Sequence, residues 1–303
     1  MQHGIDVVGV ITAPDKPAGR GKQLRQSAVK QYALEHNLHL LQPTNLKNPE
    51  FLAELAALQA NLHIVVAFRM LPEAVWSMPP FGTFNLHASL LPRYRGAAPI
   101  NWAIINGETE TGITTFLLDH KIDTGRVIFR ETLPIGPNEN AGLLHDRLMA
   151  AGAQLVVKTV EAIATNDFPA VAQNELDANA EQLPHAPKLN PGNCRLQWQQ
   201  TCAQVHNHVR GLSPYPAAFT TYQADKPDPV KLKVFAAAPL IEEHALEPGT
   251  VVRKGNQLLV ACADGYLELL ELQQSGKRRM PVGDFLNGNP TLPHQFDTLP
   301  IPQ

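Results

Sequence analysis

Asn85 and His87 stand two residues apart in the run Phe84-Asn85-Leu86-His87, and Asp119 and Asp123 flank a short turn that closes at Gly125. On a β-strand, residues two apart point to the same side. A carboxamide and an imidazole would therefore stand next to each other at a strand end. Singly, each residue type has a commoner meaning: a histidine satisfied in a core, an aspartate shaping a turn. Their convergence is what marks a site. An amide N–H suits a developing oxyanion, and a histidine near an aspartate suits proton transfer around neutral pH. No Ser or Cys sits in a G-x-S-x-G elbow, so a covalent acyl-enzyme is not indicated. The chemistry left is acyl-group transfer or hydrolysis, with an external nucleophile attacking a carbonyl directly.

For such groups to converge, the chain must bring strand ends to one edge of a sheet. A β-branched run over 6–12 stops at Pro14-Asp15-Lys16-Pro17. Ser27 caps a helix through Asn37, and a second helix over 49–59 carries Leu52, Leu55 and Leu58 on one face. The apolar run 62–68 predicts a strand buried on both faces of a parallel sheet. A strand over 81–87, a helix over 97–106 closed by Gly107, paired strands at 112–118 and 126–133, and a long helix over 142–164 follow. This alternation predicts an α/β domain with an open, mostly parallel sheet, whose ligands bind at the carboxyl edge.

After Ala164 the composition shifts. Pro169, Pro184, Pro187 and Pro191 punctuate a polar segment that reads as a linker. Beyond it a helix over 200–210 and five short strands near 218–222, 230–236, 250–253, 257–262 and 265–272 predict a small β-barrel. The Pro-rich tail after Pro290 is expected to be poorly ordered. The expected division is residues 1–179 and 180–303.

Length and composition agree with two domains: 303 residues, 44% hydrophobic and 17% charged, which excludes a disordered chain. A net charge of −3 argues against wholesale coating of nucleic acid. Locally, though, residues 18–25 hold Arg20, Lys22 and Arg25 beside two glycines and read as an exposed basic loop, with Lys30 nearby. Lys277-Arg278-Arg279 is a second basic cluster. Three cysteines without a C-x-x-C pair argue against a disulfide framework or zinc knuckle, and a reduced cytoplasmic setting fits. His206 and His208 have no matching third ligand, so they read as surface histidines and no metal is expected. No apolar run reaches membrane-spanning length, and the first residues hold no basic-then-apolar leader pattern.

The run Asn85-x-His87-x-Ser89-Leu90-Leu91-Pro92, with Gly96 and Pro99 after it and Asp123-x-Gly125 downstream, resembles the signature of the folate-dependent formyltransferases. Three further stretches are similar to the members that formylate methionyl-tRNA: Thr12-x-Pro14-Asp15-x-Pro17-x-Gly19-Arg20-Gly21-Lys22, Arg93-x-Arg95-Gly96-Ala97-Ala98-Pro99-Ile100, and Arg210-Gly211-Leu212-x-Pro214-x-Pro216-Ala217. The resemblance runs from about Gly4 to about Leu272. It implies a Rossmann-like formyltransferase sheet and an OB-like C-terminal domain that binds tRNA. It implies that Asn85, His87 and Asp123 form the catalytic trio, that Ser89, Leu90, Leu91 and Pro92 line the tetrahydrofolate site, and that Asp119 belongs to the loop walling the pterin. It implies that Arg20, Lys22 and Arg25 meet the initiator tRNA, and that 10-formyltetrahydrofolate is the formyl donor. The protein would then be a monomeric transferase of one-carbon metabolism serving translation initiation. The family begins with a further strand and helix before the strand at Ile5, so the recorded start reads as internal; the alternative is an inactive tRNA-binding truncation. A formyl-tetrahydrofolate hydrolase or a sugar-amine formyltransferase would share the trio without needing the basic loop.

Overall fold

Alternation along Thr83–His87 sets the architecture around the trio. Phe84 is fully buried against Ile128 and Ile163, while Thr83, Asn85 and His87 share the opposite face. The structure is a computed structural model and describes residues 4–18, 23–67, 69–224, 228–289 and 291–298. Strands His63–Val66, Thr83–His87, Glu110–Leu117 and Val127–Pro134 lie in that order in one sheet. Thr83–His87 is parallel to His63–Val66 (Val65 opposite Asn85) and antiparallel to Glu110–Leu117 (Asn85 opposite Phe116, His87 opposite Thr114). A separate parallel ladder pairs Val10–Ile11 with Leu40–Leu41. Helix Ala28–Glu35 is capped by Ser27, whose Oγ accepts from Lys30 N, and helix Pro49–Ala57 by Asn48. Helix Ala141–Ala164 is the longest, at 24 residues.

The chain divides into two compact units, Met1–His87 with Thr114–Phe129 and Gln154–Glu175, and Ala88–Ile113 with Arg130–Ala153 and Leu176–Gln303. Two expectations for the first unit are corrected. The run 62–68 is not buried on both faces: Ile64 is 43% and Val66 56% exposed. The strand is an edge, paired only to Thr83–His87 among the described residues. The strand expected over 6–12 contracts to Val10–Ile11, with Val7 and Val8 exposed.

The second unit is organised around helix Cys202–Leu212, which Thr201 and Gln204 open with a reciprocal capping box. Its antiparallel sheet runs Ala218–Tyr222, Val230–Leu240, Tyr266–Gln274, Gln257–Ala261, Val251–Lys254, with Met280–Pro281 added on Tyr266–Gln274. The expected barrel is not closed among the described residues, because the two end strands do not pair with each other. Irregular segments cover those edges instead. Leu196 N donates to Phe219 O at 2.8 Å on one side, and Val251 N to His294 O at 2.9 Å on the other. The expectation of a poorly ordered tail is corrected through Thr298. Phe296 is buried, stacked 5.9 Å from Trp198, and anchors that segment in the core.

The histidines of the helix are not surface residues either. His206 and His208 are both buried. Burial pushes His208 down to about 4, and its Nε2 has no hydrogen-bond partner. Burial, then the nearby Arg210 charge, also lowers His206. The folded state therefore keeps His208 neutral while the unfolded chain takes a proton near pH ~6.5. Stability from this group is complete above that value and is lost as pH falls towards 4, by as much as about 3 kcal/mol. Thermal unfolding between about pH 7 and pH 5 should show Tm falling with acidity, and His208→Leu should flatten the slope. A native Tm constant across that range would refute the assignment.

Candidate active site

Asn85 and His87 project from the same face of the strand Thr83–His87, as their spacing requires. His87 is 7% exposed, and its ring stands edge-on to Phe116 at 6.4 Å. Its Nδ1 lies 3.9 Å from Asp123 Oδ2, and the Asp123 side chain is 12% exposed. That separation is beyond direct hydrogen bonding and within range of an ion pair when the ring is protonated. The Asn85 carboxamide makes no hydrogen bond to another described residue. The structure thus brings together the three groups singled out in the sequence, two on one strand and one on a loop.

The loop that carries Asp123 is closed by its own side chains. Asp119 Oδ1 accepts from Lys121 N at 3.0 Å and from Thr124 Oγ1 at 2.8 Å. Asp119 is exposed, and its carboxylate shapes the loop. His120 rests edge-on against Trp76 and lies 3.8 Å from Glu73, both on helix Glu73–Trp76. Asp123 adopts φ +55°, a left-handed conformation unusual for a residue with a Cβ. A residue that the sequence did not single out meets the loop here. Gln173 is buried, and its Nε2 donates to Asp123 O at 2.9 Å and to Gly125 O at 3.0 Å. In the sequence it carries no signal beyond its place in a polar segment punctuated by proline.

Ser89, Leu90, Leu91 and Pro92 belong to the second unit. Ser89 Oγ donates to Arg93 O at 2.7 Å and Arg130 donates to Leu91 O at 3.1 Å, so this segment is a packed turn with Ser89 and Leu91 fully buried. In the first unit Lys16–Ala18 pairs antiparallel with Gln23–Arg25, placing Arg25 on a strand where a loop was expected. Arg20 and Lys22 lie outside the described residues. Lys30 is already engaged: its Nζ donates to Asp15 at 2.7 Å and to Gln42 at 2.8 Å. Those hydrogen bonds, from Lys30 first and then Gln42, hold the Asp15 carboxyl below its usual range. Among the described residues no group of three or more His, Cys, Asp or Glu could hold a metal.

The Formyl transferase family model matches residues 1–160, and the model of its C-terminal domain matches residues 188–290. A Flavobacterium johnsoniae protein named methionyl-tRNA formyltransferase is 52% identical over 288 residues, covering 95% of this chain and 90% of that protein. The chain belongs to the formyl transferase family. A Bacteroides thetaiotaomicron protein of the same name is 50% identical over 289 residues, covering 95% of this chain and 89% of that protein. In fold, this formyl transferase is similar to HypX from Aquifex aeolicus in complex with tetrahydrofolic acid (TM-score 0.59, 20% identity, 84% of this chain, 43% of that one). It is equally similar to an N-formyltransferase from Helicobacter canadensis in complex with folinic acid and dTDP-3-aminofucose (TM-score 0.59, 19% identity, 84% and 83% covered).

Gly125 is the tightest point of the formyl transferase loop. A Cβ there would lie 1.7 Å from the carbonyl oxygen of Leu117 and 3.3 Å from the Phe116 ring that supports His87. Gly125→Ala should force the loop off the strand, destabilise the protein by roughly 1–3 kcal/mol and displace Asp123 from His87. A variant with unchanged Tm and unchanged formyl transfer would show that this contact does not constrain the loop.

Proposed function

We propose that this chain transfers the formyl group of 10-formyltetrahydrofolate to the α-amino group of methionine esterified to initiator tRNA. The observation that carries the reading is identity of 52% over 95% of the chain to a protein named for that reaction. The geometry supplies a chemical rationale. A free α-amino group titrates near pH ~7.7–8.0, so much of it is neutral and nucleophilic without help. Its lone pair attacks the formyl carbon, and the carbonyl oxygen takes up negative charge. The Asn85 amide, with no partner among the described residues, and His87 are the groups to hold that oxyanion. Asp123, 3.9 Å from His87, orients the imidazole or a water and assists the proton from the attacking amine towards the departing N10. Collapse of the tetrahedral intermediate breaks the bond from the formyl carbon to N10 and yields formylmethionyl-tRNA and tetrahydrofolate.

The remaining roles follow the same reading. Asp119 shapes the wall of the pterin pocket. Ser89, Leu90, Leu91 and Pro92 lie along the folate site, with Ser89 and Leu91 fully buried inside that segment. Residues 1–179 form the catalytic domain and 180–303 an OB-like domain that grips tRNA, in a cytoplasmic monomer. No metal takes part.

Asn85→Ala and His87→Ala should each lower kcat for formylation of methionyl-tRNA by ~10²–10³ while leaving tRNA binding intact. Near-normal turnover in either would sink the assignment, and turnover of a sugar amine or hydrolysis of the donor would move the chain to another branch of the family. Arg20→Ala should weaken tRNA binding and reduce the slope of log K against log salt by ~0.7–0.9. An unchanged affinity and slope would remove that residue from the tRNA contact.

A further inference from the structure

We propose that Gln173 is a positioning residue for the transfer reaction, setting the Asp123 carboxylate against His87. The inference rests on the reading above, in which Asp123 serves the reaction. Gln173 lies 50 residues from Asp123 in sequence, and the fold brings it in by a short strap. Val127 and Val171 exchange two backbone hydrogen bonds, of 2.8 Å and 3.0 Å. Arg126 Nε also donates to Ala170 O. The strap holds residues 170–173 against the segment that leaves the loop.

A primary amide has two N–H groups on one nitrogen. Gln173 points both at the backbone: Asp123 O at 2.9 Å and Gly125 O at 3.0 Å. Pinning the carbonyls of residues 123 and 125 fixes the orientation of the peptide groups that flank Thr124-Gly125. Asp123 needs such a hold, because its φ of +55° is a conformation that a residue with a Cβ leaves readily when nothing enforces it. Asp119 closes the loop from within through Thr124 and Lys121. Gln173 clamps the same loop from outside. The amide is buried, at 3% exposure, so water is poorly placed to replace it. Neither Glu nor Leu can do the same work. An ionised carboxylate would set acceptors against two carbonyl acceptors, and Leu would leave both carbonyls without a donor. A displacement of about 1 Å at a reacting group is enough to cost ~10²-fold in rate.

The test is steady-state formylation of methionyl-tRNA by 10-formyltetrahydrofolate with Gln173→Leu, Asp123→Asn and the double variant. We expect Gln173→Leu to lower kcat by ~10- to 10²-fold, with KM for both substrates changed by less than about threefold. In the Asp123→Asn background, Gln173→Leu should add no further loss beyond about twofold, because both changes remove one function. A normal Gln173→Leu beside an impaired Asp123→Asn, or losses that multiply in the double variant, overturns this inference alone. Near-normal turnover of Asp123→Asn overturns the assignment of Asp123 and the inference with it. Gln173→Glu serves where the leucine variant does not fold. Its carboxyl donates only when protonated, so its activity relative to the native enzyme should rise as pH falls from about 8 to about 6. A ratio independent of pH overturns the proposal.

Discussion

The strand Thr83–His87 is hydrogen-bonded along both edges, parallel on one side and antiparallel on the other. That double ladder governs where chemistry can sit. A slip of one residue would turn every side chain to the opposite face. Phe84 would leave its cluster with Ile128 and Ile163, and Asn85 and His87 would turn into it. Burying one aromatic side chain is worth roughly 1.5–3 kcal/mol, and an unpaired polar group in its place would add a penalty of similar size. The packing of Phe84 therefore aims two polar side chains on the opposite face. The alternation that makes the strand a good core element is the same one that makes its other face usable.

Asp123 is held by a different kind of constraint. Its loop has no apolar residue that must be buried to fix it; Ile122 is exposed. A left-handed backbone at a residue with a Cβ costs of order 1–3 kcal/mol. Hydrogen bonds at ~0.5–1.5 kcal/mol each offset it: two from Gln173, and those that Asp119 accepts from Lys121 and Thr124. Close approach to the strand fixes the far end, where only glycine fits under the Leu117 carbonyl. The site thus joins a rigid strand, set by core packing, to a loop set by polar contacts. The gap between them, 3.9 Å from His87 to Asp123, is one that a small change of the loop or a bound water can close.

Much of this is legible in the sequence, and the limits follow range. Period-two spacing is local, so the sequence alone places Asn85 and His87 on one face. Asp123-x-Gly125 is also local, and its turn is readable. Gln173 is not, because its partners lie 50 and 48 residues away and its own segment, rich in proline, carries no periodicity. The apolar run at 62–68 announces a strand correctly, but which of a strand's faces is packed over is a tertiary fact, and Ile64 and Val66 are 43% and 56% exposed. Phe296 is hidden by the composition around it: a single aromatic anchor orders a segment whose average reads as disorder. The burial of His208 does leave a signal, since Val205, Val209 and Leu212 mark one apolar face of the helix and His208, three residues after Val205 and four before Leu212, lies on it.

Charge shows most clearly why averages mislead in this protein. Many of its cations are consumed by its own architecture. Arg195 pairs with Asp297 and Arg93 with Glu108. Arg210 is buried and donates to the carbonyls of Gly136 and Glu139 at 3.2 Å and 3.0 Å. Lys30 is bound to Asp15 and Gln42. In the cluster 277–279, Arg279 lies over the Phe235 ring at 4.3 Å and pairs with Glu271. A cation paired with a carboxylate contributes little to attracting a distant polyanion, because the pair carries no net charge, and a buried one such as Arg210 cannot reach a phosphate directly. The charge able to act on a polyanion, as the proposed function requires, is thus neither the net −3 nor the count of 25 basic residues. It is the smaller set left uncommitted, with exposed Lys277 and Arg278 at one end of the chain. At the other end, the resemblance assigns that role to Arg20 and Lys22. Electrostatic recognition in a protein of balanced charge depends on where the pairing stops.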